Sequence, residues 1–149
     1  MEIMKQILKA KKRIDFAVFT FSQSSGIDDA LIAASDRGVA VNGVLDRRQA
    51  NQSWAATHPL AAAGIKLKVA GNTGGLGKLH HKLMVIDDSL TIFGSFNYTG
   101  PANKSNDENI LIVGDLTETK NSTVKVQKRI AKYCRDEIER IASQFGDNI

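Results

Sequence analysis

The chain has a single cysteine, Cys134, among 149 residues. That excludes an internal disulfide and any metal centre built from clustered thiolates. Cys134 lies in an apolar helical stripe, which suits a core thiol better than a reactive one. Only two prolines are present, and no internal repeat, linker or low-complexity segment interrupts the chain. No run approaches the roughly 20 apolar residues that a membrane span requires. Met1 to Arg13 lacks an apolar h-region and reads as an amphipathic helix rather than a signal peptide. A cytoplasmic location is the expectation, with a periplasmic or secreted one if a leader has been removed.

What is present is ordinary for a globular protein: 42% hydrophobic and 24% charged residues, enough for one domain with a proper core over residues 1–149. The net charge of +4 and a pI near 9.3 favour an anionic partner without naming one.

Ile3, Met4, Ile7 and Leu8 recur at helical spacing. Ile14 to Phe21 is an apolar, β-branched and aromatic run, a buried strand. A turn over Ser22 to Gly26 leads into a helix carrying Ile27, Ala30, Leu31 and Ala34, closed by Gly38 in the C′ position. Val39 to Leu45 reads as a strand and Asp46 as an N-cap. Gln49 to Ala63 is alanine-rich and expected to be one helix, with the lone Trp54 partly buried in it. Ile65 to Val69 is a strand. A polar irregular stretch over Tyr98 to Asp107 precedes a strand from Asn109 to Val113. A final helix runs from about Thr117 to Phe145, with Val126, Ile130, Tyr133, Cys134, Ile138, Ile141 and Phe145 as its apolar stripe and a basic, solvated opposite face. Strand–helix alternation followed by a hairpin predicts an α/β, or mixed α+β, fold with a central mixed sheet covered by helices.

Two signals fail on inspection. Gly71 to Leu79 resembles a phosphate-binding loop, but that motif needs glycine six residues before its lysine and Ser or Thr after it. Asn72 and Leu79 stand there, so a flexible loop is the better reading, with Lys78 placed near a bound phosphate. His80-His81 does not suit a metal pair, because adjacent strand residues point apart; His58 is structural or at the surface.

The chemistry concentrates between His80 and Asn97, which reads H-x-K-x4-D-x6-G-S-x-N: an imidazole, an ammonium, a carboxylate, a hydroxyl and an amide within eighteen residues. Leu83–Ile86 and Leu90–Phe93 are short enough to be adjacent strands joined by an Asp-Asp-Ser turn. Alternation puts His80, Lys82 and Met84 on one face and His81, Leu83 and Val85 on the other. Ser95 and Asn97 then fold back toward His80 and Lys82, making a small polar pocket at a sheet end.

His80, Lys82, Asp87, Gly94, Ser95 and Asn97 match the HKD signature of the phospholipase D superfamily at every fixed position. The strand around Ala17-Val18-Phe19-Thr20-Phe21, the Arg37-Gly38-Val39 turn and the Ser105-Asn106-Asp107-Glu108-Asn109 segment resemble the small single-motif bacterial endonucleases of that superfamily. The resemblance implies that His80 attacks phosphorus to form a phosphohistidine. Lys82 would neutralise the non-bridging oxygens, Ser95 and Asn97 would add donors, and Gly94 would let the backbone approach. Glu108 would fix the histidine tautomer, and Asp87 would support the site by holding the hairpin or by binding Lys82. No metal and no cofactor is expected, since the cation and donors supply what a metal would.

Because this mechanism needs a second imidazole, the resemblance also implies a homodimer that brings two copies of His80 together. Related domains begin with a strand before the first helix. Its absence here implies a lost edge strand, or one half of a longer two-motif protein. The leading function is a nuclease acting on DNA, with RNA as a further substrate. A phospholipase D or phosphatidyl transferase acting on lipid is the alternative, and a non-catalytic nucleic-acid-binding module a second one.

Overall fold

The computed structural model describes residues 1–100, 102 and 105–149. Pro101, Asn103 and Lys104, part of the irregular stretch expected over Tyr98 to Asp107, lie outside the described residues. In chain order the elements are α1 (Glu2–Lys9), β1 (Arg13–Val18), a 3-10 turn (Gln23–Ser25), α2 (Ile27–Asp36), β2 (Ala40–Asp46), α3 (Arg47–Ala50), α4 (Thr57–Ala62), β3 (Lys66–Ala70), β4 (Lys82–Ile86), β5 (Leu90–Gly94), β6 (Ile110–Val113), α5 (Asn121–Gln144) and β7 (Asp147–Asn148). The strands form one mixed sheet in the order β6-β5-β4-β1-β2-β3-β7. β1, β2 and β3 run parallel, joined by helical crossovers, while β4, β5 and β6 form an antiparallel meander beside β1.

Both faces of the sheet are covered, which is why its inner strands are nearly continuous apolar runs rather than alternating ones. On one face Phe16, Val18, Val41, Leu45, Met84 and Ile86 pack with Ile3 and Ile7 of α1, Ile27 and Leu31 of α2 and Leu60 of α4. On the other, Ala17, Val44, Leu83 and Val85 meet Ala131, Ile138 and Ile141 of α5. Each fully buried Ile, Leu or Phe contributes about 1.5–3 kcal/mol. Among the described residues, no helix is long and apolar enough to cross a membrane.

Two expectations need correction. Gln49 to Ala63 is not one helix. Asp46 does cap α3, accepting from the backbone of Arg48 at 3.1 Å and Gln49 at 3.2 Å. The helix then stops, because the Thr57 hydroxyl takes the Ala50 carbonyl at 2.8 Å and Ala55 bridges to Ser22. Trp54 sits in the intervening turn, 43% exposed. The last helix starts at Asn121 rather than near Thr117, whose N–H and hydroxyl both donate to Asp115 at 2.8 Å. Its buried stripe runs through Gln127, Ala131, Ile138 and Ile141; Val126 and Tyr133 are exposed.

Gly38 takes the left-handed conformation (φ 88°) that ends α2, as its position predicts. On the basic side of α5, Lys132 pairs with Asp136, Arg135 with Asp88 and Arg140 with Glu137, while Lys125, Lys128 and Arg129 are exposed.

Candidate active site

Register builds the site. β4 is antiparallel to β1, with Val18 opposite Lys82, and antiparallel to β5, with Leu83 opposite Phe93. The start of β4 therefore meets the ends of β1 and β5 at one rim of the sheet. Gly94 pairs with Ile110, which brings the chain entering β6 to the same rim. The approach is so close that a Cβ on Gly94 would lie 2.2 Å from the Asn109 carbonyl oxygen, so only glycine fits.

His80, exposed, stands just ahead of β4. The Lys82 ammonium lies 3.2 Å from its Nδ1, 3.4 Å from its Nε2 and 3.0 Å from its carbonyl oxygen. Nearly equal distances to the two ring nitrogens put the ammonium between them rather than in line with either lone pair. The Phe19 ring lies 4.6 Å from the imidazole centroid at 47°, and the Lys82 ammonium is 5.4 Å from the Phe19 centroid.

The predicted alternation is observed. Met84 joins the core beneath α1 and α2, Leu83 and Val85 the core beneath α5. His81 turns to that second side, its Nε2 3.2 Å from Glu137.

Ser95 and Glu108 are hydrogen-bonded side chain to side chain, and Asn106 Nδ2 donates to the same carboxylate at 3.3 Å. The Ser95 N–H donates to Asn109 Oδ1 at 2.9 Å, and the Asn109 N–H donates to Ser95 Oγ at 3.1 Å. The contact expected from Glu108 to His80 is not made among the described residues. Glu108 enters β6 opposite the end of β5, so the group within its reach is Ser95. The buried amide oxygen of Asn97 has no hydrogen-bond partner among the described residues. Such a group is costly to leave unsatisfied in an apolar interior and informative beside a rim of donors.

The surroundings shift the titration of both His80 and Lys82. Partial desolvation, and then the positive charges of Lys82 and Lys78, hold the His80 imidazolium below its ordinary pKa; Asp46 pulls the other way. Burial lowers the Lys82 ammonium's pKa, and Glu108 opposes that.

Lys78, exposed, lies in the loop leading to His80. That loop is anchored from beneath. Asp46, 1% exposed, uses one oxygen to cap α3 and the other to accept the Leu79 N–H at 3.2 Å, one residue before His80. Arg47 Nε donates to the Gly71 carbonyl at 3.1 Å. Asp46 and Phe19 are the site residues that sequence reasoning passed over. A capping residue and an aromatic in an apolar run have sufficient local explanations.

Asp87 is not with this group. It lies at the opposite end of β4, a strand of five residues or roughly 16 Å. Its Oδ1 accepts from the backbone of Lys12 at 2.8 Å and Arg13 at 3.0 Å, and its Oδ2 from Lys11 at 2.8 Å. Of the two supporting roles expected for it, the structure gives it the architectural one and no contact with Lys82.

A groove of about 380 Å³ opens beside the site, lined by His80, His81, Lys82, Phe93, Tyr133 and Glu137 among others. A larger cavity of about 710 Å³, against Arg13, Asp15, Lys66 and Glu139, contains none of the motif residues. His80 and Lys82, the paired imidazole and ammonium of the motif, line the smaller groove and not the larger cavity.

The family described as "Cardiolipin synthase, PLD-like domain" matches residues 3–140. Mitochondrial cardiolipin hydrolase of Xenopus tropicalis is 30% identical over 139 residues, covering 93% of this chain and 59% of that protein. Phospholipase D of Rickettsia conorii is 37% identical over 113 residues, 76% of this chain and 54% of that protein. The chain thus spans little more than half the length of these curated relatives. Among solved structures, Nuc, a phospholipase D family member from Salmonella typhimurium, superposes with a TM-score of 0.83 at 24% identity, over 99% of this chain and 88% of that one. That is a likeness of fold.

Proposed function

The chain belongs to the phospholipase D superfamily, and we propose that it is a metal-independent phosphodiesterase that hydrolyses nucleic acid, DNA foremost and RNA as a further substrate. The observation that carries the reaction class is the exposed imidazole of His80 with the Lys82 ammonium 3.2 Å away, at the rim to which the Gly94–Ile110 pairing brings the hydrogen-bonded Ser95 and Glu108. A phosphodiester is anionic and resists attack until its charge is neutralised. Lys82, with Lys78 at the mouth, meets the non-bridging oxygens, and Ser95 and Asn97 complete the cradle.

In the first step a His80 nitrogen forms a bond to phosphorus and the bond to the leaving oxygen breaks. A second imidazole, protonated, delivers its proton to the leaving alkoxide. In the second step that imidazole removes a proton from water as the water oxygen bonds to phosphorus. The P–N bond breaks and returns His80 neutral. The second imidazole comes from another copy of the chain, placed by a two-fold axis beside the site, or from the other half of a longer polypeptide. Phe93 and Leu111, cross-strand partners, are exposed at 38% and 47%, and Tyr133 at 80%. This apolar rim beside His80 supports a face covered by a second copy.

The resemblance to small single-motif endonucleases and the net charge of +4 support nucleic acid as the substrate. Binding to it should weaken steeply with salt as phosphate contacts release counterions. A second reading has its own observation. The same apolar rim would suit a lipid–water interface, and curated relatives carry the names phospholipase D and mitochondrial cardiolipin hydrolase. In that case the site acts on a phospholipid.

The test is cleavage of single- and double-stranded DNA and of cardiolipin-containing vesicles in EDTA, comparing wild type with His80→Ala at matched oligomeric state. The proposal expects EDTA-resistant DNA cleavage that falls at least about 10³-fold in the variant. Vesicle hydrolysis without DNA cleavage would select the second reading. EDTA-sensitive cleavage that survives the substitution would overturn the mechanism.

A further inference from the structure

We propose that Phe19 is the positioning residue for the nucleophile: its ring is the wall that holds the His80 imidazole and the Lys82 ammonium against each other. The inference rests on the reading of His80 as nucleophile. It starts from a gap in the site. Among the described residues, the Lys82 ammonium is the sole side chain within hydrogen-bonding distance of an imidazole nitrogen of His80, and it lies between the two nitrogens. The carboxylate expected to orient the ring is engaged by Ser95 and Asn106. Hydrogen bonding therefore does not fix the ring plane, yet attack on phosphorus demands a fixed one.

Phe19 supplies what is missing. Its backbone is locked, because its N–H donates to the His81 carbonyl at 2.8 Å, extending the β1–β4 ladder by one residue. Its half-buried ring lies 4.6 Å from the imidazole and 5.4 Å from the ammonium, so one rigid side chain touches both members of the pair. A cation over an aromatic face is attracted by the ring's quadrupole, which keeps Lys82 near His80 without tying it to one nitrogen. The same ring removes water from the imidazole, in line with desolvation as the leading cause of the lowered pKa of His80. The other charged groups acting on His80 are Lys82, Lys78 and His81, which lower that pKa, and Asp46, which raises it. None of these changes when Phe19 is replaced.

The experiment follows the His80 imidazole by NMR titration in substrate-free full chain, its signal assigned by loss in His80→Ala, for wild type, Phe19→Leu and Phe19→Tyr. Steady-state kinetics on a small chromogenic phosphodiester run in parallel. Leucine keeps the volume so that the fold survives, checked by thermal melting; tyrosine keeps the ring. For Phe19→Leu we expect the His80 pKa to rise toward the ordinary imidazole value and the acid limb of kcat/KM to move to higher pH. We expect kcat to fall roughly ten- to a hundredfold with little change in KM. Phe19→Tyr restores all three. A folded Phe19→Leu with either the wild-type His80 titration or wild-type kcat overturns the inference, as does a folded Phe19→Tyr no better than Phe19→Leu. The titration needs no turnover. A chain without phosphodiesterase activity would overturn the functional reading, while an unmoved titration in an active enzyme would overturn this inference alone.

Discussion

The two ends of β4 carry residues of one sequence motif and hold them in opposite ways. At the Asp87 end the hydrogen-bonding capacity is engaged. Both carboxylate oxygens accept backbone N–H groups of Lys11, Lys12 and Arg13, at 2.8–3.0 Å, and the Asp87 N–H donates to the Arg13 carbonyl at 2.9 Å. Asp87 and Asp88 both adopt positive φ, 51° and 53°, which turns the hairpin tightly. At the His80 end capacity is left open: the imidazole is exposed, its contacts are a phenyl ring and an ammonium, and the Asn97 amide oxygen has no partner among the described residues. Equal places in a motif do not mean equal jobs. The closed end sets the position of β4 against β1, and that register delivers Lys82 and His80 to the rim.

The contrast can be sharpened by substitutions at each end, starting with the one that should cost most. Lys82→Gln removes the cation from the open end. The rate on a phosphodiester should fall by about 10²–10³-fold with the melting temperature little changed. The acid limb of the pH–rate profile should also move. Positive charge at Lys82 disfavours protonating His80, so removing it raises the imidazole pKa and shifts the limb to higher pH. A limb that moves down, or an unchanged rate, would separate Lys82 from the nucleophile.

Asp46→Ala probes a residue that belongs to both worlds. It should cost about 1–2 kcal/mol in stability through the lost cap, read by denaturant unfolding. Slackening the strap at Leu79 should also lower activity by less than tenfold. A stability loss with full activity would leave Asp46 as a cap alone.

Much of the fold was legible in local pattern. The β-branched runs around Ile14–Phe21, Val39–Leu45 and Ile65–Val69 read as strands because the inner sheet is buried on both faces. Gly38 and Asp46 read as caps because helix ends need them. The motif marked His80 and Lys82 as a pair, which the structure brings to 3.2 Å, and alternation along β4 placed His80 and His81 on different sides.

What stayed hidden depends on distance through space. Glu108 binds Ser95 rather than His80 because of where β6 joins β5, which pattern alone does not fix. Phe19 lies in an apolar run whose burial already explains an aromatic residue. Asp46 reaches Leu79 across 33 positions. The break between α3 and α4 comes from Thr57 bonding the Ala50 carbonyl, a competition that helix-favouring alanines do not reveal. Tyr133 matches the apolar period of α5, yet its side of the helix overlooks the rim.

The most direct test of the division between the two ends is Asp87→Ala, measured for thermal stability and, well below its melting temperature, for turnover. A loss of about 2–4 kcal/mol is expected from three unmade charge-assisted hydrogen bonds. That corresponds to a melting temperature lower by roughly 5–15 °C, with turnover of the folded protein within a few-fold of wild type. Unchanged stability with abolished turnover would contradict it and place Asp87 in the chemistry.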